Sequence, residues 1–244
     1  MLLSELVSTA EEVTATASRL AKVDALSRLL ARADADDVPA LVGLLLATPR
    51  QGRLGVGWRG ISALEVMHAD EPSLSIGDVD AAFEALAGAS GSGSAAARTD
   101  LLSALAGRAT ATEWDFLSRA MLGELRTGAL GGVLLDAIAR ASDRPAASVR
   151  RAAMLSGDLG DTAVIALTGT AAELDEVGLV VGRAVLPMLA STAATPTAAL
   201  EVTGRASVEY KLDGARIQVH RRGDDVSVYT LSLIHISEPT RPLY

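Results

Sequence analysis

The chain has 244 residues, 49% apolar and 3% aromatic, with a net charge of −8 and no cysteine. That length allows one large or two modest domains, with cores filled by Leu, Val and Ala rather than by rings. The missing cysteine excludes disulfides, thiolate metal sites and thiol redox chemistry. The acidic balance argues against nucleic-acid binding unless the arginines gather on one face.

Met1 to Leu20 carries Glu5, Glu11 and Glu12 where a secretory signal would be basic and then apolar. No apolar run approaches the length of a membrane span. A soluble cytoplasmic protein with no membrane partner is the expectation.

Residues 2–176 read as mostly helix. Leu20, Val23, Leu26, Leu29 and Leu30 recur at helical spacing. Asp36-Asp37-Val38-Pro39 is a cap followed by an early-turn proline, which predicts a helix over Ala40–Ala47. Gln51–Gly60 is a glycine-rich loop bearing Arg53 and Arg59. Ile76-Gly77-Asp78 opens a predicted helix over Val79–Ala87, and Ala89–Ser94 reads as a flexible joint between helices. Thr112-Glu113-Trp114-Asp115 opens a helix through Leu122. Gly123–Gly128 breaks it, and Leu130–Ala141 resumes.

A helix, a glycine turn with Arg126, then a helix N-terminus can be a phosphate clamp. The same spacing also describes an ordinary helical hairpin with a solvated arginine. Arg150 and Arg151 carry the same ambiguity, because adjacent helical residues diverge by about 100° and at most one need face a ligand. Trp58 and Trp114 read as packing residues, and His68 as an isolated surface or capping residue. His220 and His235 lie far from it, so no metal-ligand spacing is visible.

From Val177 the character changes. Val177–Gly182 is apolar and β-prone, and Ser191–Pro196 is a small, polar linker, which places a boundary near residue 190. A short helix is expected over Thr197–Thr203. A strand is expected over Ser207–Tyr210 running into Lys211, and Asp213-Gly214 is a hairpin turn signal. Ala215–Arg221 alternates, with Ile217, Val219 and Arg221 on one face and Arg216, Gln218 and His220 on the other. The polar turn Gly223-Asp224-Asp225 leads to a third strand, Val226–Thr230.

Lys211 stands out because the chain has twenty arginines and only two lysines, the other being Lys22. A lysine can lose its proton and attack an electrophile, whereas arginine stays charged, so Lys211 is a candidate covalent nucleophile. Glu209, two residues earlier, shares its face on an extended chain. Glu209, Lys211 and Arg216 could then line one pocket. A Lys-x-Asp-Gly hairpin by itself is more often a solvated turn.

The longer string Glu209-Tyr210-Lys211-Leu212-Asp213-Gly214-Ala215-Arg216-Ile217-Gln218-Val219-His220 resembles the first nucleotidyltransferase motif of ATP-dependent DNA ligases. RNA ligases and capping enzymes share only the Lys-x-Asp-Gly part. Upstream, Phe116–Ala129, Val149–Ala152, Gly157–Gly160 and Pro187–Ala190 resemble, in order, blocks of the helical domain of bacterial and archaeal-like ligases. The likeness runs from about Val42 to Thr230. Ala184 stands where that family often has proline.

The resemblance implies a mainly α fold: a helical DNA-binding domain over 1–190, then the first strands of an α+β nucleotidyltransferase (adenylation) domain over 191–230. It implies ATP as substrate, attacked by Lys211, with Glu209 reading the adenine amino group and Arg216 near the ribose and AMP phosphate. Mg2+ would neutralise phosphate charge. The partner implied is nicked double-stranded DNA, sealed in replication, repair or recombination by a monomer. Arg53, Arg126, Gly128 and Arg151 are the expected DNA contacts, and no metal ligand is assigned. Two alternatives stay open: an RNA ligase or capping-type enzyme, which leaves the helical region unexplained, and a non-catalytic helical DNA-binding module.

The last fourteen residues contain no Ala, Gly or Val. They resemble the in-frame translation of a sequencing-library transposase adapter, so 231–244 is expected to be an artefactual tail. Leu231 stands where the family usually has arginine, and the family's later motifs and OB domain do not follow. The fragment is therefore expected to be inactive, with ligation belonging to the full-length parent.

Overall fold

The computed structural model describes residues 1–125, 130–187, 191–210, 213–230 and 235–236. The described residues form twelve helices and three strands. The helices are α1 (Leu3–Ala15), α2 (Arg19–Leu30), α3 (Val38–Leu45), α4 (Trp58–Ser62), α5 (Ile76–Gly88), α6 (Ser94–Arg108), α7 (Ala111–Leu122), α8 (Leu130–Ala141), α9 (Ala146–Ser156), α10 (Leu159–Thr168), α11 (Ala171–Glu176) and α12 (Pro196–Thr203). The strands are β1 (Ile217–Arg222), β2 (Asp225–Thr230) and β3 (His235–Ile236), paired antiparallel in the order β1-β2-β3. No helix among the described residues is long and apolar enough to cross a membrane.

Two compact units result. The first comprises Met1–Ala152 and Asp158–Val177, and the second Ala153–Gly157 and Gly178–Tyr244. The second unit thus takes in a short piece of the helical region and then everything after Val177, where the change of composition begins.

The helical unit is built on leucine stripes. α2 lies along α8, α3 along α10, and α1 packs on α2. Leu6, Leu26, Leu29, Leu41 and Leu134 are completely buried between them. Burying each such side chain contributes roughly 1.5–3 kcal/mol, which is how a nearly ring-free sequence forms a core.

Side-chain caps set the helix starts. Ser75 accepts from the Asp78 N–H at 3.0 Å, while Asp78 accepts from the Ser75 N–H at 2.9 Å. That capping box starts α5 at Ile76, ahead of the predicted Val79. Thr110 and Glu113 start α7 in the same way. In α3 the helix begins at Val38, with Pro39 in the first turn, where its missing N–H costs nothing. The Met1 ammonium donates to Asp37 at 2.9 Å, and this bond holds its pKa above the ordinary range. Leu3 N–H donates to the Leu74 carbonyl and Ile76 N–H to the Met1 carbonyl, so the chain start is tied to the entry of α5.

Two expectations differ from the structure. Val177–Gly182 forms no strand: it follows α11 and turns through Gly182 at φ +91°. Ser207–Tyr210 forms no strand either, and Tyr210 is 96% exposed. Alternation is only a preference until a neighbouring ladder satisfies the backbone. The predicted Val226–Thr230 strand is β2, and a further strand, β3, falls at His235–Ile236, within the segment read as foreign. Its pairing to β2 runs through backbone groups, which any sequence supplies.

The Gly157-Asp158-Leu159-Gly160 block has a plain steric reason. Gly157 has φ +69°, and a Cβ there would sit 2.3 Å from the Ala184 carbonyl oxygen. Asp158 caps α10 by accepting from the Asp161 N–H at 2.9 Å. Gly160 lets α10 approach Pro39, whose Cα would lie 3.2 Å from an added Cβ.

Gly157→Ala is expected to destabilise the chain by at least ~1–3 kcal/mol. Gly131→Ala, whose Cβ would meet nothing within 4 Å, should instead stabilise by about 0.4–1 kcal/mol. Urea unfolding of the two variants checks both signs.

Ser75→Ala should cost about 0.5–2 kcal/mol and change the acid limb of stability. The Ser75 backbone N–H and hydroxyl, with Arg108, hold the Asp78 carboxyl below its usual pKa. That contribution is present above the unfolded pKa and is lost as pH falls through the lower folded value. Unfolding curves collected from neutral pH downward should therefore fall less steeply below about pH 4 in the variant.

Candidate functional site

In the second unit the β1–β2 hairpin pairs Ile217 with Thr230, Val219 with Val228 and Arg222 with Asp225. Alternation gave the phase of β1 correctly, since Gln218 and His220 share one face. The covered face is the polar one, however, while Ile217 and Val219 remain 50% and 59% exposed.

The polar face holds a strap formed by residues 181–186. Gln218 accepts from the Val185 N–H at 2.9 Å and donates to the Val185 carbonyl at 2.6 Å. His220 Nδ1 accepts from the Gly182 N–H at 3.2 Å, and the Tyr229 hydroxyl donates to the Gly182 carbonyl. Arg222 donates to the Val181 carbonyl at 3.2 Å. His220 also meets the edge of Tyr229 at 5.3 Å between ring centres. Within Val177–Gly182 these side chains reach only Val181 and Gly182.

The strap and β1 enclose a concavity of about 190 Å³, lined by Val185, Leu186, Pro187, Arg216, Ile217, Gln218 and Thr230. Ordinary cofactor pockets run to roughly 300–1,000 Å³, so this concavity is by itself too small to enclose a nucleotide. Arg216 is the cation on its wall. Glu209 does not line it; its carboxylate is exposed and accepts from the Ser207 hydroxyl at 3.0 Å. Lys211 lies outside the described residues, as do Arg126 and Gly128 in the helical unit. The structure therefore brings Arg216 to a concave site but does not place the three expected residues around one pocket. Gln218, His220 and Tyr229 are the positioning residues that spacing alone did not identify, although the alternation placed the first two on one face.

Of the expected DNA contacts in the helical unit, Arg53 is exposed and makes no side-chain bond among the described residues. Arg151 is exposed and donates to the Asp175 carbonyl at 3.0 Å, beside the end of α11. Arg150 is ion-paired to Asp136, which also pairs with Arg19 at 2.6 Å. Arg150 therefore bridges helices, and both arginines bond within the helical unit. His68 is a capping residue, its Nδ1 2.9 Å from the Ala106 carbonyl. Trp114 packs on the core as expected, but Trp58 is 66% exposed. A groove of about 800 Å³ between α1 and α7 is lined by Val7, Ala10 and Phe116 together with Glu11, Glu124 and Arg119. Its acidic rim opposes phosphate. Among the described residues no three His, Asp or Glu side chains converge to hold a metal.

Residues 62–139 match the family profile of the DNA ligase N terminus, and residues 187–241 match that of the ATP dependent DNA ligase domain. A probable DNA ligase of Pseudarthrobacter chlorophenolicus is 62% identical over 97% of this chain and 47% of its own length. The chain belongs to the ATP-dependent DNA ligase family. Probable DNA ligases of Rhodococcus jostii and Saccharopolyspora erythraea are each 51% identical over 97% of the chain, covering 47% and 46% of their lengths. The chain spans about half the length of the curated relatives it matches. The ligase-domain match begins at Pro187 in the wall beside Arg216, contains Lys211, and continues past β3.

Gln218→Ala should free the Val185 amide. Its hydrogen exchange is expected to accelerate about tenfold, the equivalent of one net hydrogen bond. Amides in the α2–α8 pair should be unchanged. Exchange followed by mass spectrometry or NMR reads both.

Proposed function

We propose that the chain is part of an enzyme that seals nicks in duplex DNA at the expense of ATP. The observation that carries this reading is the order of the two ligase matches, with the Lys211 string inside the second. In the first step the unprotonated Lys211 Nζ attacks the α-phosphorus of ATP. A P–N bond forms, the bond to the pyrophosphate oxygen breaks, and pyrophosphate leaves with the electron pair. AMP then passes from Lys211 to the 5′-phosphate at the nick. The 3′-hydroxyl attacks that phosphate and displaces AMP.

Each residue's part follows from its chemistry. Arg216 offers a fixed fork of donors to the ribose and AMP phosphate, which agrees with its place on the concave wall. The Glu209 carboxylate is an acceptor suited to the adenine amino group. Mg2+ neutralises phosphate charge when bound; the described residues provide no ligand cluster for it, so this reading assigns it none. Arg53, Arg126, Gly128 and Arg151 hold the duplex through its backbone, without sequence preference. The enzyme acts as a monomer, and its sealing serves replication, repair and recombination.

A second reading is favoured by one observation. The helical unit has its own closed core, so it is equipped to bind DNA as a module without chemistry.

The test uses the longest natural form of the protein and ATP radiolabelled on its α-phosphate. Label should become covalently attached, and both Lys211→Ala and Lys211→Arg should abolish it, the latter because it keeps charge but removes the amine. Label retained by either variant overturns the assignment of Lys211. DNA binding without any labelling of the wild type supports the module.

A further inference from the structure

The charge objection to DNA binding has a local answer in the loop before α4. The described arginines of the helical unit are nearly all neutralised by carboxylates, as Arg19 and Arg150 are by Asp136 and Arg50 by Asp80, or bound to backbone carbonyls, as Arg98 is to Ala89. The remainder follow the same pattern. Among the described residues of that unit, Arg53 and Arg59 are the arginines without such a partner. They flank Trp58, which is 66% exposed. No acidic residue occurs from Gln51 to Leu64.

The loop is anchored rather than loose. At its start Arg50 and Gln51 both donate to Asp80, at 2.7 Å each for Nε and Nε2. Leu54 and Ile61 are buried, and Val56 packs on the core. At Gly55 the φ is +67°, and an added Cβ would lie 2.7 Å from the Arg98 guanidinium, which therefore rests on the bare backbone. On the outward side an added Cβ at Gly52, Gly57 or Gly60 would meet nothing within 4 Å. The loop thus fixes its backbone while presenting two uncompensated guanidinia and an indole to open space. The exposed indole offers a flat apolar face with an N–H donor at its edge.

We propose that Gln51–Gly60, the loop before α4 together with the first turn of that helix, is a DNA-contact segment in which Arg53 and Arg59 bind backbone phosphates and Trp58 lays its indole on a deoxyribose or unstacked base between them. This rests on the DNA-binding reading above, which includes Arg53, and adds Trp58 and Arg59. Guanidinium forks match phosphate oxygens. An aromatic face accepts any base, which suits an enzyme without sequence preference.

Trp58 and Trp114 are the two tryptophans of the chain, so Trp58 can be followed by its own emission. The experiment titrates the full chain with nicked duplex at several salt concentrations. Wild-type emission should be quenched or shifted, and Trp58→Phe should remove the change. Trp58→Ala should weaken binding roughly fivefold or more. The double variant Arg53→Ala, Arg59→Ala should lower the slope of log affinity against log salt by about two. All three side chains are exposed, so circular dichroism should match the wild type. If DNA binds but emission, affinity and salt slope are unchanged in the variants, the loop is not a contact and the DNA-binding reading stands. If the chain binds no DNA at any salt, that reading falls and the proposal falls with it.

Discussion

A carboxamide that occupies both backbone polar groups of one residue joins the strap at Val185 to β1, and the second unit depends on it because it has little apolar core. Among its described residues the buried apolar side chains are only alanines, Ala153 and Ala184. Hydrophobic burial, which organises the helical unit, therefore cannot organise this one. Beyond the β1-β2-β3 ladder, its order comes from Gln218, His220, Arg222 and Tyr229 reaching across to backbone groups of 181–185. The concave wall that carries Arg216 exists because these polar bonds hold the strap against the strand.

The helical unit solves the opposite problem. Its core is secure, and its question is how an acidic surface could approach phosphate. Pairing arginines with carboxylates removes them from long-range electrostatics, since a matched pair presents little net field. Among the described residues, Arg53 and Arg59 are the arginines of the unit with neither a carboxylate nor a backbone carbonyl bound to them. Net charge over the whole sequence, −8, is then a poor guide to the local potential at Arg53 and Arg59.

Much of this was legible in the sequence, for identifiable reasons. Caps and prolines are local signals, so α3, α5 and α7 were found within a few residues of their true starts, with Ser75 and Thr110 explaining the shifts. The phase of β1 was legible because side chains alternate by geometry. Which face of β1 would be covered was not, because that depends on a strap distant in sequence. Ser207–Tyr210 and Val177–Gly182 misled for the same reason: a strand requires a partner, and alternation says nothing about who supplies it. Trp58 was read as packing from its residue type alone, whereas it is 66% exposed at the start of α4. The Glu209–His220 string identified the family without any geometry, because the chemistry of a motif survives in its letters.

Gly157 meets the carbonyl of Ala184, not its side chain. The two positions therefore face unequal evolutionary pressure. Every amino acid carries that carbonyl, proline included, so position 184 can exchange one small residue for another while the contact persists. Position 157 has no such latitude, because any substituent would occupy the space the oxygen already fills. Exchange at 184 therefore leaves the close approach in place, whereas any side chain at 157 forces the two backbone segments apart.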